Sequence, residues 1–148
     1  MADTHRPVVD LSTTCACGVV TLAVRGPVYS MFMCACEDCQ KASGTGHSAV
    51  FTVDPSSLTI SGETRSFDRI AASGATFTRT FCPSCGTPLF GRSSRSDRAV
   101  MIPAGLFGGA AAEWYRPRHL FFARSHRDWD ELGAGLPRHD TYPQRAGG

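Results

Sequence analysis

Seven cysteines stand in three tight groups: Cys15 and Cys17; Cys34, Cys36 and Cys39; Cys82 and Cys85. An odd count at such short spacings makes a poor disulfide framework and a good set of metal or redox ligands. Cys82-Pro83-Ser84-Cys85-Gly86 has the spacing of a zinc knuckle. Two thiolates with two residues between them chelate one ion while the tight turn aims backbone N–H groups at the sulfurs, and Gly86 eases that turn. Cys15-Ala16-Cys17-Gly18 is a tighter version of the same device. Two such half-sites make one closed four-cysteine site, the usual structural arrangement. Either pair taken alone is also compatible with two buried or redox-paired cysteines.

Cys34-Ala35-Cys36-Glu37-Asp38-Cys39 differs, because one short loop can grip one ion with three sulfurs. No eighth cysteine remains to complete that shell. Three protein ligands with an open fourth position is the pattern of catalytic zinc. Alternatively, Glu37, Asp38 or His47 closes the shell. A redox reading takes Cys36 and Cys39 as a thioredoxin-like pair, but no βαβ pattern surrounds them. Spacing also permits another partition, with Cys15, Cys17, Cys34 and Cys36 in one site and Cys39, Cys82 and Cys85 in the other. Local chelation favours keeping Cys34, Cys36 and Cys39 together.

The elements that must carry these groups read as mainly β. Short apolar or alternating runs are broken by turn residues: 19–24, 28–33, 49–53, 58–60, 75–81, 89–90, 99–102 and 120–122. Gly26-Pro27 is expected to end the first strand, and the second runs straight into Cys34. Helix is scarce. Residues 37–42 suit a turn or two, and 125–132 offers an N-cap serine, early acids and a terminal Gly133. Ala110-Ala111-Ala112, after Gly108-Gly109, reads as loop. The division expected is a flexible N-terminus over 1–13, one zinc domain over 14–138 and a flexible tail over 139–148.

Bulk properties set the remaining bounds. A chain of 148 residues, 42% hydrophobic, is long enough for one core without disulfides. A formal charge of +2 gives no basis for nucleic-acid or anionic-membrane binding. The apolar runs are too short to span a bilayer, and the opening residues do not suit a secretion signal, so a cytoplasmic protein is expected.

The run Cys-x-Cys-Gly, then Cys-x-Cys-x-x-Cys-Gln-Lys-x-Ser-Gly, then Phe81-Cys-x-x-Cys-Gly-Thr-Pro-Leu-Phe90 resembles the glutathione-dependent formaldehyde-activating enzyme family, which includes centromere protein V. Ala104-Gly105-Leu106-Phe107, Pro117-Arg118-His119-Leu120, Trp129 and Leu136-Pro137 are similar to that family's later landmarks. The resemblance covers residues 14–138 and implies a zinc-containing β-tent. It implies two zinc ions per chain, a structural one on Cys15, Cys17, Cys82 and Cys85 and a catalytic one on Cys34, Cys36 and Cys39. This sequence departs from many members in having Ala35 where they have His and Glu37 where they have a basic residue.

By this resemblance the expected activity is carbon–sulfur lyase chemistry on a small thiol–aldehyde adduct such as S-hydroxymethylglutathione, the adduct of glutathione and formaldehyde. The rival reading is a non-enzymatic zinc module, a protein-interaction domain or a thiol carrier. Electrostatics favour a thiol ligand. Three thiolates and one divalent ion leave the second site at about −1, so its zinc is a weaker Lewis acid towards water than one on three histidines.

No catalytic residue is singled out beyond the metal ligands. His47 is read as a solvated or hydrogen-bonded strand-edge histidine, with acid–base or ligand roles as alternatives. His119 reads as structural, and Trp114, Trp129, Phe121 and Phe122 as core or pocket wall. Arg116, Arg118, Arg124 and Arg127 read as part of a solvated mixed-charge face.

Overall fold

A computed structural model describes residues 6–143, and within them the chain is mainly β. Its contacts divide into two units: Met1–Ser30 with Phe51–Tyr115, and Met31–Val50 with Arg116–Gly148. None of the described helices is long and apolar enough to cross a membrane.

The first unit opens with β1 (Val8–Thr14), antiparallel to β2 (Thr21–Cys34) in a register running from Val8↔Pro27 to Thr14↔Thr21. Residues 8–13 were expected to lie in a flexible N-terminus, and this is corrected. Val9 is buried and Leu11 and Thr13 are half-buried, alternating with exposed partners. That is the period of a strand with one covered face, disguised by its small polar residues. β2 also runs unbroken through Gly26-Pro27, where two strands were expected. Gly26 adopts φ 144°, which side chains with a Cβ rarely reach, and a Cβ there would lie 2.5 Å from Ser57 Oγ.

β3 (Ser48–Val53) enters this unit at Phe51, and a 3₁₀ turn at Pro55–Ser57, capped by Asp54, leads to β4 (Leu58–Ser61). There follow β5 (Arg65–Ile70), β6 (Thr76–Phe81), β7 (Pro88–Ser93) and β8 (Val100–Pro103). The sheet order is β1-β2-β3-β8-β7-β6-β5, with β4 pairing β2 off this path. Phe51, Leu22, Leu89 and Ile102 are fully buried, and the Phe51 ring meets those of Phe107 and Trp114 at 5.9 and 4.9 Å. Gly109–Ala112, expected as loop, forms a single helical turn.

The second unit holds the end of β2, the short helix α1 (Glu37–Ser43) and β9 (Leu120–Phe121). β9 lies parallel to β2, with Met33 opposite Leu120 and Cys34 opposite Phe121. The rings of Phe32 and Phe121 stack with centroids 4.4 Å apart. α1 stops at Gly44, whose φ of 73° is the usual left-handed C-cap.

Two expectations fail in this unit. Residues 125–132 form no helix; a 3₁₀ turn covers Ala123–Ser125 and the backbone is extended at His126. Tertiary hydrogen bonds of Arg127 and Asp130 hold this segment against its local propensity. Trp129, expected as core or pocket wall, is 67% exposed. The start of the expected tail is also held. The His139 N–H donates to Leu120 O at 2.9 Å, and Ala123 and Phe122 donate to His139 O and Thr141 O. Residues 144–148 of that tail, and 1–5 of the expected N-terminal one, lie outside the described residues.

Candidate metal centres

The fold gathers Cys15, Cys17, Cys82 and Cys85 into one group whose sulfurs all lie within 4.8 Å of one another. Cys15 Sγ is 3.6 Å from Cys17 Sγ, and Cys17 Sγ is 3.8 Å from Cys82 Sγ. These separations are far too long for disulfides, and all seven cysteines are free. Sulfurs held about 2.3 Å from a tetrahedral zinc sit roughly 3.8 Å apart, so the spacing fits that ion.

Local backbone explains the convergence. Gly18 and Gly86 adopt φ of 82° and 76°, turning each knuckle back on itself, and donate to Cys15 O and Cys82 O at 3.0 and 2.9 Å. The Val20 N–H donates to Cys15 Sγ at 3.3 Å. Cys15 and Cys82 are buried among Val20, Leu22 and Leu89, so the site is rooted in the core.

Thr87 latches the two knuckles together. Its hydroxyl oxygen accepts the Ala16 N–H at 3.1 Å, leaving the hydroxyl proton for Cys85 Sγ, also at 3.1 Å. The Thr87 hydroxyl, with the N–H groups of Thr87 and Cys17, holds the Cys85 thiol down at about 5. Cys15 is lowered by the Val20 N–H. Cys17, despite the N–H of Val19, is pushed up to about 12 by burial and the neighbouring thiols. Four thiolates this close repel, and a divalent cation is what lets all of them ionise.

Cys34, Cys36 and Cys39 form the second group, again within 4.8 Å of one another. Among the described residues no histidine or carboxylate atom joins them at that range, so Glu37, Asp38 and His47 do not complete the cluster. Cys36 is the N-cap of α1, its sulfur accepting the Cys39 N–H at 3.4 Å. Hydrogen bonds from Cys36 and Cys39, with burial, push the Cys34 thiol far up. Cys39, lowered by Cys34 but raised by Cys36 and burial, ends near 11. This too is a cluster that suits a cation.

Gln40 fixes the loop. Its Nε2 donates to Ala35 O at 2.8 Å and Ser125 O at 3.0 Å, while its Oε1 accepts from Arg127 Nε at 3.1 Å. The Ser48 hydroxyl acts on the Cys39 thiol in the lowering direction, as a smaller influence than its cysteine neighbours and burial. His47 Nδ1 lies 2.7 Å from Asp130 Oδ2, and His119 Nδ1 lies 2.9 Å from His139 Nε2. Gln40 and Thr87 stand inside the sequence motifs, where their types alone showed no role. Asp130 is 83 residues from His47 and carried no local signal.

Residues 10–125 match the family described as glutathione-dependent formaldehyde-activating enzyme. The chain belongs to this family. Two curated relatives, from Aspergillus flavus and Aspergillus oryzae, are provisionally named glutathione-dependent formaldehyde-activating enzymes. Each is 32% identical over 90 residues, which is 61% of this chain and 47% of the relative. The match therefore spans about half the length of these glutathione-dependent formaldehyde-activating relatives. A crystal structure of a Rhodobacter sphaeroides protein shares the fold, with TM-score 0.53 and 16% identity over 67% of this chain and 89% of that one.

Proposed function

We propose that this protein is a zinc-dependent carbon–sulfur lyase-type enzyme acting on a small thiol–aldehyde adduct of the S-hydroxymethylglutathione kind. Cys15, Cys17, Cys82 and Cys85 would hold a structural zinc, and Cys34, Cys36 and Cys39 a catalytic one. The observation that carries this reading is the three-sulfur cluster with no fourth histidine or carboxylate at its range among the described residues. Zinc held there supplies a soft, open Lewis acid better suited to a thiol than to water. The family and the names of its fungal members agree with a thiol and formaldehyde as reactants.

The chain's own part would be to keep the three sulfurs in place around the ion. Gln40 pins the carbonyl of Ala35 between two of the cysteines, and the Cys36 cap seats Cys39. Ala35 itself is fully buried, so no side chain from that position reaches a substrate.

Cobalt substitution tests the reading. Added thiol should shift the sulfur-to-cobalt charge-transfer bands, and zinc-loaded protein should speed formation or breakdown of a thiol–formaldehyde adduct over buffer. Cys36→Ser should abolish both effects. An unchanged cobalt spectrum would overturn the open site. A spectral shift without any rate effect would leave a thiol carrier and remove the enzyme.

A further inference from the structure

Splitting a thiol–aldehyde adduct breaks its C–S bond, the electron pair going to sulfur, while the hydroxyl proton leaves oxygen as the carbonyl forms. The reverse reaction returns that proton to oxygen. A net proton transfer between oxygen and sulfur is needed, and three cysteines committed to a metal are not free to perform it.

His47 and Asp130 form a pair built for such a transfer. His47 Nδ1 stands 2.7 Å from Asp130 Oδ2, with side chains 18% and 10% exposed. A carboxylate only accepts, so Nδ1 carries the hydrogen and Nε2 is left to take up and release a proton. Asp130 is flanked on its other side. Its Oδ2 lies 3.3 Å from His126 Nε2, and His126 Nδ1 faces Arg138 Nη1 at 3.3 Å. A guanidinium only donates, so His126 accepts at Nδ1. Its Nε2 is buried beside the Asp130 carboxylate without the geometry of a hydrogen bond, so His47 is the histidine that Asp130 engages.

Local sequence protects this pair. A Cβ at Gly46 would overlap the Asp130 side chain, so the residue before His47 must lack one for the carboxylate to reach the ring. The segment carrying Asp130 is bolted to α1 through Gln40, which bonds Ser125 O and Arg127 Nε. Gln40 directly follows Cys39 in α1, so the segment that holds Asp130 against His47 is tied to the residue next to the three-sulfur group, within the same unit.

We infer that His47, oriented by Asp130, is the proton-transfer residue of the three-cysteine site, an inference that rests on the lyase reading above. Nε2 removes the hydroxyl proton as the C–S bond breaks and delivers it to the departing sulfur, so no further reactant is consumed. Asp130 acts through His47 and is a positioning residue.

The test uses the full zinc-loaded chain and the glutathione–formaldehyde adduct. His47→Gln should lower kcat by about 10²-fold or more, with KM and zinc content unchanged. It should leave the thiol-induced cobalt shift intact and remove one limb of the pH–rate profile. The charged and titratable groups around that limb are Asp130 on the ring, His126 and Arg138 behind it, and the Arg127–Glu37 pair at 3.6 Å beside α1. Asp130→Asn should lower kcat and change the same limb, and imidazole in the buffer should restore rate to His47→Ala. A wild-type protein no faster than buffer would defeat the lyase reading. A fast wild type with an equally fast His47→Gln and an unaltered pH profile would defeat this inference alone. Should Asp130→Asn fail to fold, His47→Gln and the imidazole rescue still decide.

Discussion

Cys85→Ser should unfold the protein, whereas Cys36→Ser should leave most of the fold standing. Cys85 is exposed, so the damage comes through the metal it would hold and not through lost packing. Structural zinc contributes roughly 10–16 kcal/mol in small metallo-domains. Net folding stability is only about 5–15 kcal/mol, so losing that contribution exceeds what most domains can spare. The four-sulfur site also joins segments distant in the chain: Cys17 and Cys82 are 65 residues apart. The three-sulfur site is confined to one loop and the first turn of α1, so its loss stays local. Circular dichroism with elemental analysis checks the contrast. Wild type should hold two zinc ions, and Cys36→Ser about one with a cooperative melt. Equal collapse of the two variants would make the second site structural and remove the basis for the enzyme reading.

The second large effect lies in the core of the first unit. Phe51 is fully buried against Phe107 and Trp114, and Phe51→Ala should cost about 3–5 kcal/mol through lost transfer energy and the cavity left behind. For a chain of this length that is a fall in Tm of roughly 6–20 °C. Val19→Ala, at a position 55% exposed, is the control and should shift Tm little. A denaturant series on zinc-loaded protein measures both. A loss below about 1 kcal/mol for Phe51→Ala would mean the cavity collapses and that this cluster does not anchor the sheet.

What could be read from sequence was local or repeated. Cysteine spacing marks a half-site because the chelating geometry lies within a few residues, and glycine after each pair marks the turn. Mainly β structure was legible from short alternating runs such as 75–81, observed as β6. β1 was missed because serine, threonine and aspartate fill its alternation, leaving Val9 and Leu11 as its only apolar signals inside the pattern. The expected helix over 125–132 failed because hydrogen bonds to Gln40 and His47, far away in sequence, outweigh a serine cap and early acids. The partnership of His47 with Asp130 is of the same kind: each residue is ordinary alone, and only the fold makes them a pair. Thr87 shows the middle case, standing in a recognisable motif whose hydroxyl acquires direction only when Ala16 arrives to donate to it.

The two sulfur clusters also differ in when a growing chain can make them. Cys34, Cys36 and Cys39 leave the ribosome almost together, so three donors are ready for an ion as soon as they emerge. Cys15 and Cys17 must wait for partners 65 residues downstream of Cys17. At about 5–20 residues per second that is a wait of roughly 3–13 s. During it, two reactive thiols are exposed to oxidants and to other metals. Closing so long a loop then costs on the order of 4 kcal/mol of chain entropy, which metal binding has to offset. The cluster proposed to hold the first unit together would thus be the later one to form, and a shortage of metal during synthesis would fall on it first.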